Sequence, residues 1–297
     1  MSNLIPNRFN TNLSNTLLGT LLLALTYLFF SVMELTAKEL GQSFNPFQIV
    51  FARYLSQLII LILLFNKRSI LHLKSQYPLL QILRGTLLLV TTFFMFAGLA
   101  NLPFAENIAI YMIGPVITTI LAFFILKEKI SFLQIIVVIV GLIGAIIIAD
   151  PNSQSFNLAI IFPFLAALCF AFFTISTKFL NSSDTNQTTL LFTAITGTFL
   201  SAPFIIIFWK WPSWNETILM FCLGLLATIG HFFFIEALKV INASFAAPFV
   251  YLTVMLAAFW GYIIYNEVPN QNTIIGAFLI IIAGLIITQL KKNSKLK

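Results

Sequence analysis

Four ionisable side chains stand alone inside long apolar stretches of this sequence: Glu34, Arg53, Arg84 and His231. A charge at the centre of a bilayer costs about 2.5–3.5 kcal/mol on insertion scales, so such groups turn inward and find partners there. Glu34 precedes Lys38 by four residues, the spacing of a favourable pair on one helix face. It reads either as a rim ion pair or as a carboxylate that holds a proton or a cation. Arg53 either snorkels to the membrane surface or attracts an anionic group. Arg84, followed by Gly85, is either an interfacial anchor or a planar donor fork for a carboxylate or phosphate. His231 precedes three phenylalanines. It reads as a hydrogen-bonded packing residue or as a solute contact and gate that titrates near neutrality.

Uncharged polar residues add two faces. Asn107, Tyr111 and Gly114 recur at i, i+4 and i+7 and share one side of a helix. Gly114-Pro115 then interrupts the backbone ladder, and the freed carbonyls need protein or water partners. That face could bind a polar solute or serve helix–helix hydrogen bonding and packing. Ala243, Ala247, Tyr251 and Val254 form a matching face kinked by Pro248. Tyr251 lies far from either end of its apolar stretch, which argues against a role in the interfacial belt. Tyr251, Tyr111, Asn107 and His231, with Gly114 and Arg84, are therefore expected to line a solute cavity. Glu34 and Arg53 are candidates for coupling or gating. Glu128 and Glu267 are expected to cap or brace the helix that follows each, and Glu236 to pair with Lys239 or Lys178. Cys169 and Cys222 fall in separate stretches without metal-ligand spacing and read as packing residues. No metal or other cofactor is expected.

Long helices must carry these groups. The 297 residues are 60% hydrophobic and only 8% charged, with a mean hydropathy of +1.00. A soluble domain carries about 25% charged residues, so most of this surface faces lipid. A soluble enzyme, a nucleic-acid binder and a disordered chain are excluded on that ground. A span needs about 20 apolar residues. Ten candidates fit, at 16–36, 46–65, 79–98, 104–126, 131–149, 158–178, 188–208, 217–235, 243–265 and 272–290. Only short loops remain. The expected fold is an all-α integral membrane protein with ten transmembrane helices.

Lysine and arginine set the orientation. With the N-terminus inside, twelve fall at inside ends, from Arg8 to Lys297, while only Lys38 and Lys210 fall outside. The positive-inside rule then makes both termini cytoplasmic. The +7 net charge reads as this topological bias rather than as a polyanion partner.

The sequence also repeats itself. Residues 99–130 have a counterpart in 238–269, with Leu99 on Leu238 and Glu128 on Glu267 at an offset of 139. Each half then holds five helices, at 16–149 and 158–290. Residues 1–15 form a cytoplasmic tail, 150–157 a linker and 291–297 a basic cytoplasmic tail. Five is odd, so the second half enters from the opposite side. Such inverted repeats place a solute site near the midplane and open it alternately.

Several stretches carry a resemblance: FARY (51–54), ILRGTLL (82–88), LPFAENIAIYMIGP (102–115), KEKIS (127–131), GHFFFIEAL (230–238), ASFAAPFVY (243–251) and GYIIYNEVP (261–269). The chain resembles the paired EamA domains of the drug/metabolite transporter superfamily over about 16–290. The resemblance implies a ten-helix carrier of small organic metabolites, with helices 3, 4, 8 and 9 lining a central cavity. Its pattern is nearest to bacterial carriers of S-adenosylmethionine or riboflavin; other members move amino acids and nucleosides. A secondary transporter of the bacterial inner membrane is the expectation, working by alternating access on a small molecule amid lipid. Small-residue faces leave a homodimer open.

An enzyme and a channel are the alternatives for such a chain. A membrane enzyme needs acidic pairs or histidine clusters, whereas the two histidines are far apart and Asp150 and Asp184 lie in loops. A channel would show a repeated filter or a ring of charge. Neither pattern is evident in the sequence.

Overall fold

The computed structural model describes residues 13–65, 74–102, 104–149 and 158–265, with scattered residues between 271 and 286. Glu267, Arg8, Lys67, Arg68 and the basic tail from 291 lie outside the described residues. Regular structure within them is helical. Six helices are long and apolar enough to cross a membrane: 15–41, 46–64, 78–101, 158–180, 186–208 and 214–240. The apolar helices at 114–125, 132–144 and 243–256 are shorter.

α1 (Leu13–Gly41) leads into α2 (Pro46–Leu64), which starts on an Asn45 side chain accepting from the Phe47 N–H, with Pro46 in the first turn. Proline suits that position because its missing N–H is an orphan there anyway. α3 (Pro78–Asn101) also carries a proline in its first turn, but no side chain caps it. The fourth stretch divides into α4 (Phe104–Tyr111) and α5 (Gly114–Ile125), parted at Met112–Ile113 with Pro115 in the first turn of α5. Ile113 keeps right-handed helical angles (φ −68°, ψ −20°), so the break is a kink rather than a loop. α6 (Phe132–Ala149) follows a turn in which Lys127 takes φ 55°. There the Leu126 and Glu128 N–H groups both return to the Ala122 carbonyl, closing α5 in the manner of a left-handed C-cap.

The second half runs through α7 (Ile161–Leu180), α8 (Asn186–Phe208) and α9 (Trp214–Val240). α8 is capped by Thr185, and α9 by a Ser213–Glu216 capping box. The ninth stretch is again broken, into α10 (Ala243–Ala246), a 3-10 turn (Ala247–Tyr251) and α11 (Leu252–Tyr265).

Lipid-facing and protein-facing surfaces are inverted relative to a soluble protein. Leu79 is 81% exposed and Ile206 89%, while Gln57, Asn107 and Thr189 are fully buried. The polar residues that a soluble protein would put outside are the inward faces here.

The principal packing partners are α1 with α9, α3 with α7, and α2 with α8 and α9. Each pair joins one half of the chain to the other. Small residues permit the approach: a Cβ on Gly224 of α9 would lie 2.4 Å from the Gln57 backbone nitrogen of α2. Beside it the Ser56 hydroxyl reaches the Met220 carbonyl at 3.1 Å, a polar link across that same contact.

Candidate functional site

Where α1, α2, α3, α4, α7 and α9 meet, a cavity opens between the halves. Helix α1 contributes Phe30, Met33 and Glu34; α2 Arg53; α3 Leu88, Thr91, Thr92, Met95 and Phe96; α4 Tyr111; α7 Phe170; α9 His231. The α1 and α3 residues recur at i+3 and i+4 intervals, Leu88, Thr91, Thr92, Met95 and Phe96 on α3, because such positions share a face.

Arg53 governs this wall. Its side chain is 1% exposed, and its guanidinium is held by three contacts. Nη2 lies 2.9 Å from Nε2 of His231, Nε donates to the Met33 sulfur at 3.5 Å, and Cζ sits 4.5 Å from the Tyr54 ring centre. Arginine has no acceptor, so His231 Nε2 must accept and the imidazole proton must sit on Nδ1. Both Arg53 Nη1 and His231 Nδ1 are buried without a hydrogen-bond partner. The ring of His231 packs against Phe30 (4.7 Å between centroids) and Phe173 (5.8 Å). Glu34 lines the same cavity, and no ion pair within 4.0 Å joins it to Arg53. The Tyr111 ring leans on Phe170 at 6.0 Å.

Of the expected site residues, Glu34, Arg53, His231 and Tyr111 therefore come together. Arg84, Asn107, Gly114 and Tyr251 lie outside this cavity, each for a visible reason. Arg84 spends its fork on protein: Nε donates to Thr177 at 2.7 Å, Nη1 to Thr193 and the Thr189 carbonyl, and Cζ rests 4.4 Å from the Phe173 ring centre. Asn107 faces α3, donating at 3.4 Å to the Met95 carbonyl. A Cβ on Gly98 would fall 1.9 Å from its Oδ1, so the two helices approach closely there. Gly114 backs onto Ala167 of α7. Tyr251 donates its hydroxyl to the Val138 carbonyl at 2.9 Å, and its ring fills the space a Cβ on Gly141 would need, 2.2 Å away.

Glu128 does not serve the following helix; Ser131 and Gln134 cap α6. Its carboxylate instead accepts from the Ala243 and Ser244 N–H groups, both at 3.0 Å, and from the Ser244 hydroxyl. It thus caps α10 in the other half, where the helix dipole favours a negative charge. Glu236 does pair with Lys239 at 3.0 Å, while Lys178 donates to the Leu238 and Ile241 carbonyls. Thr91 and Thr92 escaped the sequence reading. A polar pair within the apolar third stretch was the available signal.

A helical bundle of long apolar spans, paired across two halves around a cavity with isolated charges, defines a multi-pass membrane transporter. The fold matches a solved crystal structure with a TM-score of 0.79, covering 93% of this chain and 98% of the other at 17% identity. The EamA-like transporter family model matches residues 17–149 and again 157–289, and the chain belongs to that family. Relatives include an S-adenosylmethionine uptake transporter of Rickettsia prowazekii, 32% identical over 89% of this chain and 90% of the relative. A riboflavin transporter of Vibrio cholerae is 28% identical over 63% of each chain. A pseudopaline exporter of Pseudomonas aeruginosa is 23% identical over 93% of this chain and 97% of its own length. The protein is a transporter of small metabolites and not an enzyme.

Proposed function

We propose that this chain is a secondary carrier of the bacterial inner membrane that moves S-adenosylmethionine by alternating access. The observation that carries the substrate assignment is the similarity to the rickettsial transporter over nine-tenths of both chains. Chemistry at the cavity is compatible with it. A sulfonium can meet the Glu34 carboxylate or the aromatic faces of Phe30, Phe96 and Phe170, each cation–π contact giving roughly 0.5–2 kcal/mol.

In this reading the ten spans form two inverted five-helix repeats, 16–149 and 158–290, with both termini in the cytoplasm. Pairing across the halves supports the arrangement. Exchanging the halves turns the α1–α9 contact into the α7–α3 contact, and both are principal pairs. Rocking of one half on the other would expose Glu34, Arg53, Tyr111 and His231 to each side in turn. Arg84, Asn107, Gly114 and Tyr251 brace the walls of that cavity. Glu34 is the group through which an ion gradient would couple.

Reconstituted protein tests the function. Liposomes preloaded with unlabelled S-adenosylmethionine should take up the labelled compound saturably and faster than empty ones. Riboflavin serves as the comparison substrate.

A further inference from the structure

Two buried donors in the cavity wall lack partners, Arg53 Nη1 and His231 Nδ1. A buried donor without a partner carries its full desolvation penalty, and more when charged. The neighbours do not relieve it: Met33 offers a thioether to Nε, and Tyr54 only a ring face. Arg53 and His231 are 1% and 2% exposed, so bulk water is a poor substitute. What is missing is an acceptor, and a permanent guanidinium selects an anionic one. The free Nη1 edge of the guanidinium suits a carboxylate oxygen.

The same cavity also holds a carboxyl group. Glu34 lines it without an ion pair to Arg53. A plain anion would leave Glu34 unanswered, and a plain cation would leave Arg53 so. A neutral solute would answer neither. One ligand class offers a partner to each: a carboxylate with an ammonium on the adjacent carbon.

The geometry points to Arg53, held in place by His231, as the receptor for an α-amino-acid head group, its carboxylate on Arg53 Nη1 and its ammonium toward Glu34. The remainder of the ligand lies along Phe30, Phe96 and Phe170. This inference rests on the transport reading for its site but not on any one substrate. It adds that recognition begins at the amino-acid end, whatever the other end is.

The test compares matched pairs that differ only by the carboxyl group. The probes are S-adenosylmethionine and its decarboxylated form, methionine and 3-(methylthio)propylamine, and phenylalanine and phenethylamine. Thermal stabilisation of the purified full chain in detergent reports binding, because a ligand that binds the folded state raises its melting temperature. At least one zwitterion should stabilise, and its amine partner should need about tenfold or more higher concentration. Equal stabilisation within every pair overturns the inference, as does failure of all three zwitterions to stabilise. Arg53→Lys keeps the charge and loses the fork. It should weaken the zwitterion about tenfold and leave the amine within about twofold. A merely structural arginine would weaken both alike. Binding without uptake into liposomes would leave the receptor standing and refute the carrier.

Discussion

Arg53 Nη2 stands 2.9 Å from His231 Nε2, tying α2 in the first repeat to α9 in the second. The bond crosses the line along which an alternating-access carrier divides. It is buried at both ends, and each partner keeps one donor free. A contact of this kind holds the halves in register while leaving capacity for a ligand.

Removing the acceptor should therefore cost more than removing a packing ring. His231→Phe preserves the aromatic contacts with Phe30 and Phe173 but leaves Arg53 with a second unpaired donor. Stability should fall by about 1–3 kcal/mol, and uptake should be lost. His231→Gln restores an acceptor and should recover most of the stability. Thermal unfolding in detergent, read beside uptake, checks both.

Arg84 should behave as a strut. Its partners are Thr177, Thr189 and Thr193, and a lysine cannot bond the helices bearing them with one fork. Arg84→Lys should lower stability by about 1.5–3 kcal/mol, the scale of a hydrogen bond to a charged group. Among molecules that remain folded, KM and substrate preference should be unchanged. A shift in preference would move Arg84 into the binding site.

Tyr251 offers a graded comparison. Tyr251→Phe removes the bond to the Val138 carbonyl and should cost about 1 kcal/mol with transport intact. Tyr251→Ala empties the space against Gly141 and should cost about 3–5 kcal/mol, with less protein reaching the membrane. Measuring uptake per folded molecule separates the two effects.

Glu128 should stabilise the junction of the halves. Glu128→Ala leaves the N–H groups of Ala243 and Ser244 uncapped and should cost about 1–2 kcal/mol, as lost N-caps do. Glu128→Gln keeps a neutral acceptor and should lose less. Thermal unfolding of the two variants orders them.

The membrane class, the two repeats and the rarity of in-span ions were all readable from residue types. Composition and periodicity depend on chemistry local to the chain. Which ions converge was not readable. Arg53 and Arg84 look alike as isolated arginines in apolar stretches, yet one meets a histidine 178 residues away and the other three ordinary threonines on α7 and α8. The Tyr251 face was visible from its spacing, but its neighbour was not, because nothing in residues 243–254 indicates that Gly141 opens a slot for the ring. Glu128 was misplaced for a related reason. Its cap reaches across 115 residues, where sequence reasoning looks three residues ahead.

Counterflow most directly tests whether this cavity carries a solute from one side to the other. Proteoliposomes preloaded with unlabelled S-adenosylmethionine should accumulate the labelled compound transiently above equilibrium, and Arg53→Lys should reduce that peak about tenfold. Uptake that neither saturates nor responds to preloading, with S-adenosylmethionine or any other metabolite, would contradict a carrier built around Arg53, His231 and Glu34.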